Sequence, residues 1–126
     1  MRGFLILGSA LAALGVALGA FGSHILRDRL DAKMLNTFET GVRYQMYHAL
    51  ALVAVAFAIS HYPSSSLPLA AGWLFVAGIV LFSFSLYALA LSNARWVAIV
   101  TPVGGTAFVA GWICLLLTAW LGFGFP

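Results

Sequence analysis

Four long apolar blocks, at about 4–22, 42–60, 67–91 and 97–123, are separated only by short polar stretches, and this pattern constrains the chain more than any other feature. A helix needs about 20 largely apolar residues to cross a hydrocarbon core about 30 Å thick. The first block just reaches that length, and the third and fourth have residues to spare for tilt. The second is strictly apolar only over 49–59, with Arg43, Gln45 and His48 in its first turns. It is still read as a span, because Arg43 can snorkel to the interface and a helical hairpin needs a return leg. Only 7% of the 126 residues are charged, against 63% hydrophobic. A soluble domain carries about a quarter charged residues, so lipid must be the solvent for most of this chain. The expected fold is an all-α, single-domain bundle of four transmembrane helices.

The connections fit that outline. Residues 23–41 hold seven of the nine charged side chains when Arg43 is counted with them; the others are Arg2 and Arg95. Leu30, Met34 and Phe38 recur every four residues there, with Leu35 beside them, and Arg27 and Asp31 lie at i,i+4. The stretch at about 26–40 therefore reads as a short amphipathic helix lying in the headgroup layer. The other reading makes it an extension of the second span, and the two differ only in whether Gly41 bends the chain. Residues 61–66, with Pro63 and three serines, form a turn, as do 92–95. Arg2, an apolar run and the small residues at 17–20 also resemble a secretory signal peptide, but Arg27, Arg29 and Lys33 follow at once and resist translocation, so the block is taken as a retained span.

Counting Lys and Arg gives an orientation. Arg27, Arg29, Lys33 and Arg43 follow the first span and Arg95 the third, against Arg2 alone on the other side. Loops 23–41 and 92–96 are expected in the cytoplasm, with both termini outside. Trp96 then marks the cytoplasmic interface and Trp73 and Trp120 the outer one. Trp112 lies well inside the fourth span, where its indole N–H needs an acceptor on a neighbouring helix.

Lipid tails compete with apolar side chains, so the helices must attach by close packing and hydrogen bonds. Gly8, Ala12, Gly15, Gly19 and Gly22 alternate steps of four and three; Ala71, Gly78, Ser85 and Ser92 recur every seven, as do Gly104, Gly111 and Thr118. These stripes are read as seams within the chain. The Gly15–Gly19 step is equally compatible with a dimer face.

Polar groups concentrate in the cytoplasmic half. His48 lies six residues into the second span, about 9 Å deep, with Ser85 and Thr101 at similar depth. Tyr44, Gln45 and His48 adjoin on one helix. Pro102 lacks an N–H and frees the Ala98 carbonyl, so a bend is expected there. With Gly104, Gly105 and His24 on the same side, these groups are expected to converge on one polar layer open to the cytoplasm. Glu39 and Arg43, at i,i+4, are expected to form an interfacial ion pair. The layer either holds the helices in register or binds and moves a proton, small solute or lipophilic ligand at His48, since intramembrane ionisable groups are functional candidates. His24 with His48 falls short of the three or four ligands of a metal site. No P-loop, HExxH or CxxC is present, and Asp28 and Asp31 lie in the charged loop, away from any Ser–His pair. No enzyme, cofactor or nucleic-acid partner is expected. The lone Cys114 is read as a small packing residue. The expected partners are the bilayer and either a second copy of the chain or another membrane protein.

Residues 18–26 (LGAFGSHIL), 38–52 (FETGVRYQMYHALAL), 81–87 (LFSFSLY) and 101–112 (TPVGGTAFVAGW) resemble, in order, the four blocks of one family. It is that of transmembrane protein 256 and the bacterial YgdD and YwdK proteins, domain of unknown function 423. The resemblance implies four transmembrane helices in a bacterial inner membrane and transfers no catalytic residue. His24, Tyr44, Gln45, His48, Ser83, Ser85, Thr101 and Pro102 all fall within these blocks. Ser23 and Phe84 depart from its pattern, which has Ala and Gly there.

Overall fold

The computed structural model describes residues 2–124 as four antiparallel helical rods, each long and apolar enough to cross a membrane. The first runs through α1 (Arg2–Ala17), a π-helical turn at Leu18–Gly22 and α2 (Ser23–Leu26). The second is a single helix, α3 (Ala32–His61). The third comprises α4 (Leu67–Gly78), a second π turn at Ile79–Ser83 and α5 (Phe84–Ser92). The fourth opens with a 3₁₀ segment at Arg95–Ile99 and continues as α6 (Thr101–Gly124). Among the described residues there is no strand.

Local chemistry sets the ends of these rods. Asp31 caps α3, its Oδ1 accepting from the Met34 N–H at 2.8 Å, which satisfies a donor the first helical turn leaves free. Ser65 Oγ accepts from the Leu67 N–H at 3.2 Å, and Pro68 occupies the first turn of α4, where no N–H is needed. Asn93 ends α5 at φ 54°, a left-handed conformation that asparagine tolerates better than most residues.

The separate interfacial helix expected over 26–40 is not an element of its own. Residues 27–31 form the turn, and α3 continues unbroken through Gly41 for 30 residues, about 45 Å at 1.5 Å per residue. Its apolar stripe turns inward: Phe38 is buried, its ring 5.2 Å from that of Tyr87. A Cβ on Gly22 would lie 3.1 Å from the Phe38 ring, and one on Gly41 would lie 2.7 Å from the Tyr87 ring. Gly41 thus admits a neighbouring helix rather than bending its own. Pro102 likewise lies in the first turn of α6, and the expected bend takes the form of a change from 3₁₀ to α-helix ahead of it.

Helix α3 is the hub. It packs along α1 on one side and along α4, α5 and the second π turn on the other, while α6 packs chiefly on α4. The larger core joins Phe4, Leu52, Val55, Phe75, Ile79 and Phe108. A smaller one gathers Phe38, Val42 and Ala90 near the charged loops. The glycine stripes lie along these contacts. A Cβ on Gly8 would be 2.8 Å from the Ala49 carbonyl oxygen, and one on Gly19 would be 3.3 Å from Val42. Gly15 faces Met46, Gly78 faces Phe108 and Gly111 faces Phe75. Gly104 is pressed closest against backbone, with the Phe82 backbone nitrogen and the Leu81 carbonyl carbon against it.

Candidate functional site: a divided polar layer

The polar residues do not converge on one pocket; they form separate knots. The first is built on Gln45, which is fully buried. Its Nε2 donates to the Leu11 carbonyl of α1 at 2.8 Å, and its Oε1 accepts from the Tyr87 hydroxyl of α5 at 2.6 Å. One amide therefore ties the first three spans together, using a carbonyl that is already inside a helix and a hydroxyl that has no water to turn to.

The second knot is His48. Trp112 Nε1–H can only donate, and it points at His48 Nε2 at 3.0 Å. That leaves Nδ1 to carry the proton and donate to the Tyr44 carbonyl at 2.7 Å. Both ring nitrogens are thus engaged within the chain. The imidazole also stacks on Phe108, with centroids 3.5 Å apart and planes within 8°. Tyr44 presents its ring to Phe82, at 4.7 Å, lies nearly parallel to the His48 ring at 6.2 Å, and gives His48 its carbonyl.

The third knot joins spans three and four. Ser85 Oγ donates to the Phe82 carbonyl at 2.8 Å and meets Thr101 Oγ1 at 2.6 Å. Ser83, two residues before it at the end of the π turn, is fully buried, and its hydroxyl has no hydrogen-bond partner among the described residues.

The remaining candidates lie elsewhere. His24 accepts at Nδ1 from Arg27 at 2.9 Å near the end of the first span, apart from His48. Arg43 donates to Thr40 Oγ1 at 3.0 Å, and the Glu39–Arg43 ion pair expected from spacing is not formed. The shorter reach to Thr40, one turn back on the same helix, satisfies the guanidinium first. Glu39 and Arg43 instead flank a shallow groove with Gly19 and Ser23. Among the described residues no three of His, Cys, Asp and Glu cluster as a metal ion would require.

Two members of these knots were absent from the sequence-based set. Tyr87 is one; the signal for it is a tyrosine inside an apolar run, whose hydroxyl must find an acceptor when buried. Phe108, one helical turn before Trp112, is the other, and its pairing with His48 has no marker in sequence.

Four apolar rods joined by buried side-chain hydrogen bonds define a polytopic membrane protein of the four-helix class. A family model described as "Protein of unknown function (DUF423)" matches residues 18–105. The UPF0382 membrane protein YwdK of Bacillus subtilis is 45% identical over 119 residues, covering 94% of this chain and 97% of its own. The UPF0382 inner membrane protein YgdD of Escherichia coli K12 is 43% identical over 123 residues, covering 94% of this chain and 89% of its own. The chain belongs to this DUF423 (UPF0382) family of membrane proteins. No solved structure matches it.

Proposed function

We propose that this protein is a structural or interaction bundle of the bacterial inner membrane, an accessory to a larger membrane assembly rather than an enzyme. The observation that carries the reading is the closure of the His48 knot. Trp112 and the Tyr44 carbonyl occupy both imidazole nitrogens, and Phe108 covers one ring face. A ligand- or proton-handling histidine needs a free lone pair or an exchangeable proton facing a path, and this one has its valences spent on Trp112 of the fourth span and on a carbonyl of its own helix. Gln45 supports the same reading, with both ends of its amide bonded across helices. Gly15 and Gly19 meet Met46 and Val42 of the same chain, so a homo-oligomer would form through another face.

The test is Trp112→Phe, which removes the N–H and keeps an aromatic ring at the position. In detergent its thermal unfolding midpoint should fall slightly, by the equivalent of about 0.6 kcal/mol, a typical interhelical hydrogen bond in a membrane. Native mass spectra of wild type and variant released from their own membrane should show the same bound masses. A bound mass that vanishes with Trp112→Phe while the bundle stays folded would overturn the reading in favour of a ligand site.

The name of the relative YgdD supports placement in the inner membrane. The excess of Arg and Lys at 27–43 and at Arg95 supports cytoplasmic loops 23–41 and 92–96 with both termini outside. A reporter active only in the periplasm, fused at the C-terminus, should give signal. Signal from a reporter active only in the cytoplasm would reverse the orientation.

A further inference from the structure

The cations near the charged loops are not equivalent. Arg27 and Arg43 donate to His24 and Thr40, each within its own helical segment. Lys33 and Arg95 make no such bond among the described residues, although they come from different loops and line one groove of about 400 Å³. Its walls are the first turns of α3, with Met34, and the corner between spans three and four, with Leu89, Asn93 and Ala98. Trp96, next to Arg95, is 71% exposed, which fits a residue at headgroup level.

The charge of this groove is one-sided. No carboxylate lines it: Asp28 and Asp31 lie outside the lining, Asp31 as the cap of α3, and Glu39 lines a different groove beside Arg43. Two cations, the Asn93 amide and the Thr37 hydroxyl therefore share the lining with the apolar side chains of Met34, Leu89 and Ala98. Paired cations beside an apolar surface, at the level where lipid headgroups lie, suit an amphiphile with a phosphate.

We propose that the groove between Lys33 and Arg95 binds the phosphate of an anionic phospholipid, with one acyl chain lying over Leu89 and Ala98. The lipid then bridges α3 to the corner between spans three and four, two parts of the chain joined by no charged contact of their own. A water-soluble phosphate would gain nothing from those apolar side chains, so the lipid is the occupant the site selects.

The protein, purified in a nonionic detergent, is titrated with phosphatidylglycerol and read by native mass spectrometry. A one-to-one adduct is expected. The double variant Lys33→Gln/Arg95→Gln should bind at least about tenfold more weakly, given what two basic side chains contribute near lipid phosphate. The swap Lys33→Arg/Arg95→Lys should keep the adduct, and so should Arg27→Gln/Arg29→Gln, which removes equal charge from the first loop alone. If the double variant folds poorly, Ala98→Trp, which fills the groove from an exposed position, should give the same loss. Equal binding of phosphatidylcholine, equal loss in the Arg27/Arg29 variant, or an undiminished adduct in the double variant would each overturn the proposal. So would displacement of the lipid by millimolar inorganic phosphate, which would show a site for the anion alone.

Discussion

Gly104→Ala should be among the most damaging single-methyl changes available in this bundle. The added Cβ meets the Phe82 backbone nitrogen and lies 2.7 Å from the Leu81 carbonyl carbon. Backbone inside a π turn held on both sides by other spans cannot step aside as a flexible side chain can. The fourth span must move away from the third, and that shift also pulls at Ser85–Thr101 and His48–Trp112. Overpacking usually costs about 1–3 kcal/mol, and a clash with backbone belongs at or beyond the upper end of that range. The adjacent Gly105→Ala supplies the control. Its Cβ has nothing nearer than the Phe82 ring at 3.8 Å, so it should be neutral or stabilising by up to about 1 kcal/mol through helix propensity. Unfolding of both variants in mixed detergent, followed by tryptophan fluorescence, separates the two. Equal stability would mean that spans three and four do not approach each other as closely at this level.

His48→Ala should be comparably severe for a different reason. It opens a void against Phe108 and Phe75, the latter ring 5.5 Å away, and leaves the Trp112 N–H without its acceptor. Removing a buried ring costs about 3–5 kcal/mol in soluble cores, and an orphaned donor adds about 1–3 kcal/mol. Lipid filling part of the void lowers the sum, so a loss of about 3 kcal/mol is expected. The same unfolding assay reads it, with native mass spectra alongside. A variant as stable as wild type that has lost a bound molecule would make His48 a ligand site and remove the structural reading. This change and Trp112→Phe together form a graded pair, because one removes a whole ring with both its hydrogen bonds and the other a single hydrogen bond with part of a ring.

Much of the architecture could be read from the order of residues because the membrane leaves few choices. Apolar blocks of sufficient length must be helices, since a backbone in lipid has to satisfy its own hydrogen bonds. What the sequence left open were the places where one residue type serves two purposes. Gly41 was a candidate hinge, and it instead makes room for Tyr87; composition looks the same in either case. Pro102 was a candidate kink, yet it starts a helix, because the 3₁₀ segment before it had already broken the hydrogen-bond ladder. The i,i+4 spacing of Glu39 and Arg43 allowed an ion pair, and a threonine one turn away took the guanidinium. The polar side chains could be placed at one depth, but depth says nothing of azimuth. Gln45 and His48 are three residues apart, and they bond to different neighbours because helices lie on both sides of α3. The hydroxyl of Tyr87 and the ring of Phe108 were legible only once those neighbours were fixed.

The two π turns have a consequence for how this chain tolerates change in its length. Each accommodates one residue more than an α-helical turn would, and both lie at helix positions facing α3, at Leu18–Gly22 and Ile79–Ser83. Loss of one residue within either stretch would convert it to ordinary helix while the faces before and after kept their alignment with α3. Gain of a residue would have no such slack to draw on and would rotate everything beyond it. Natural variation in length within the spans should therefore be lopsided: single gaps at these two places, and otherwise an almost constant count from end to end.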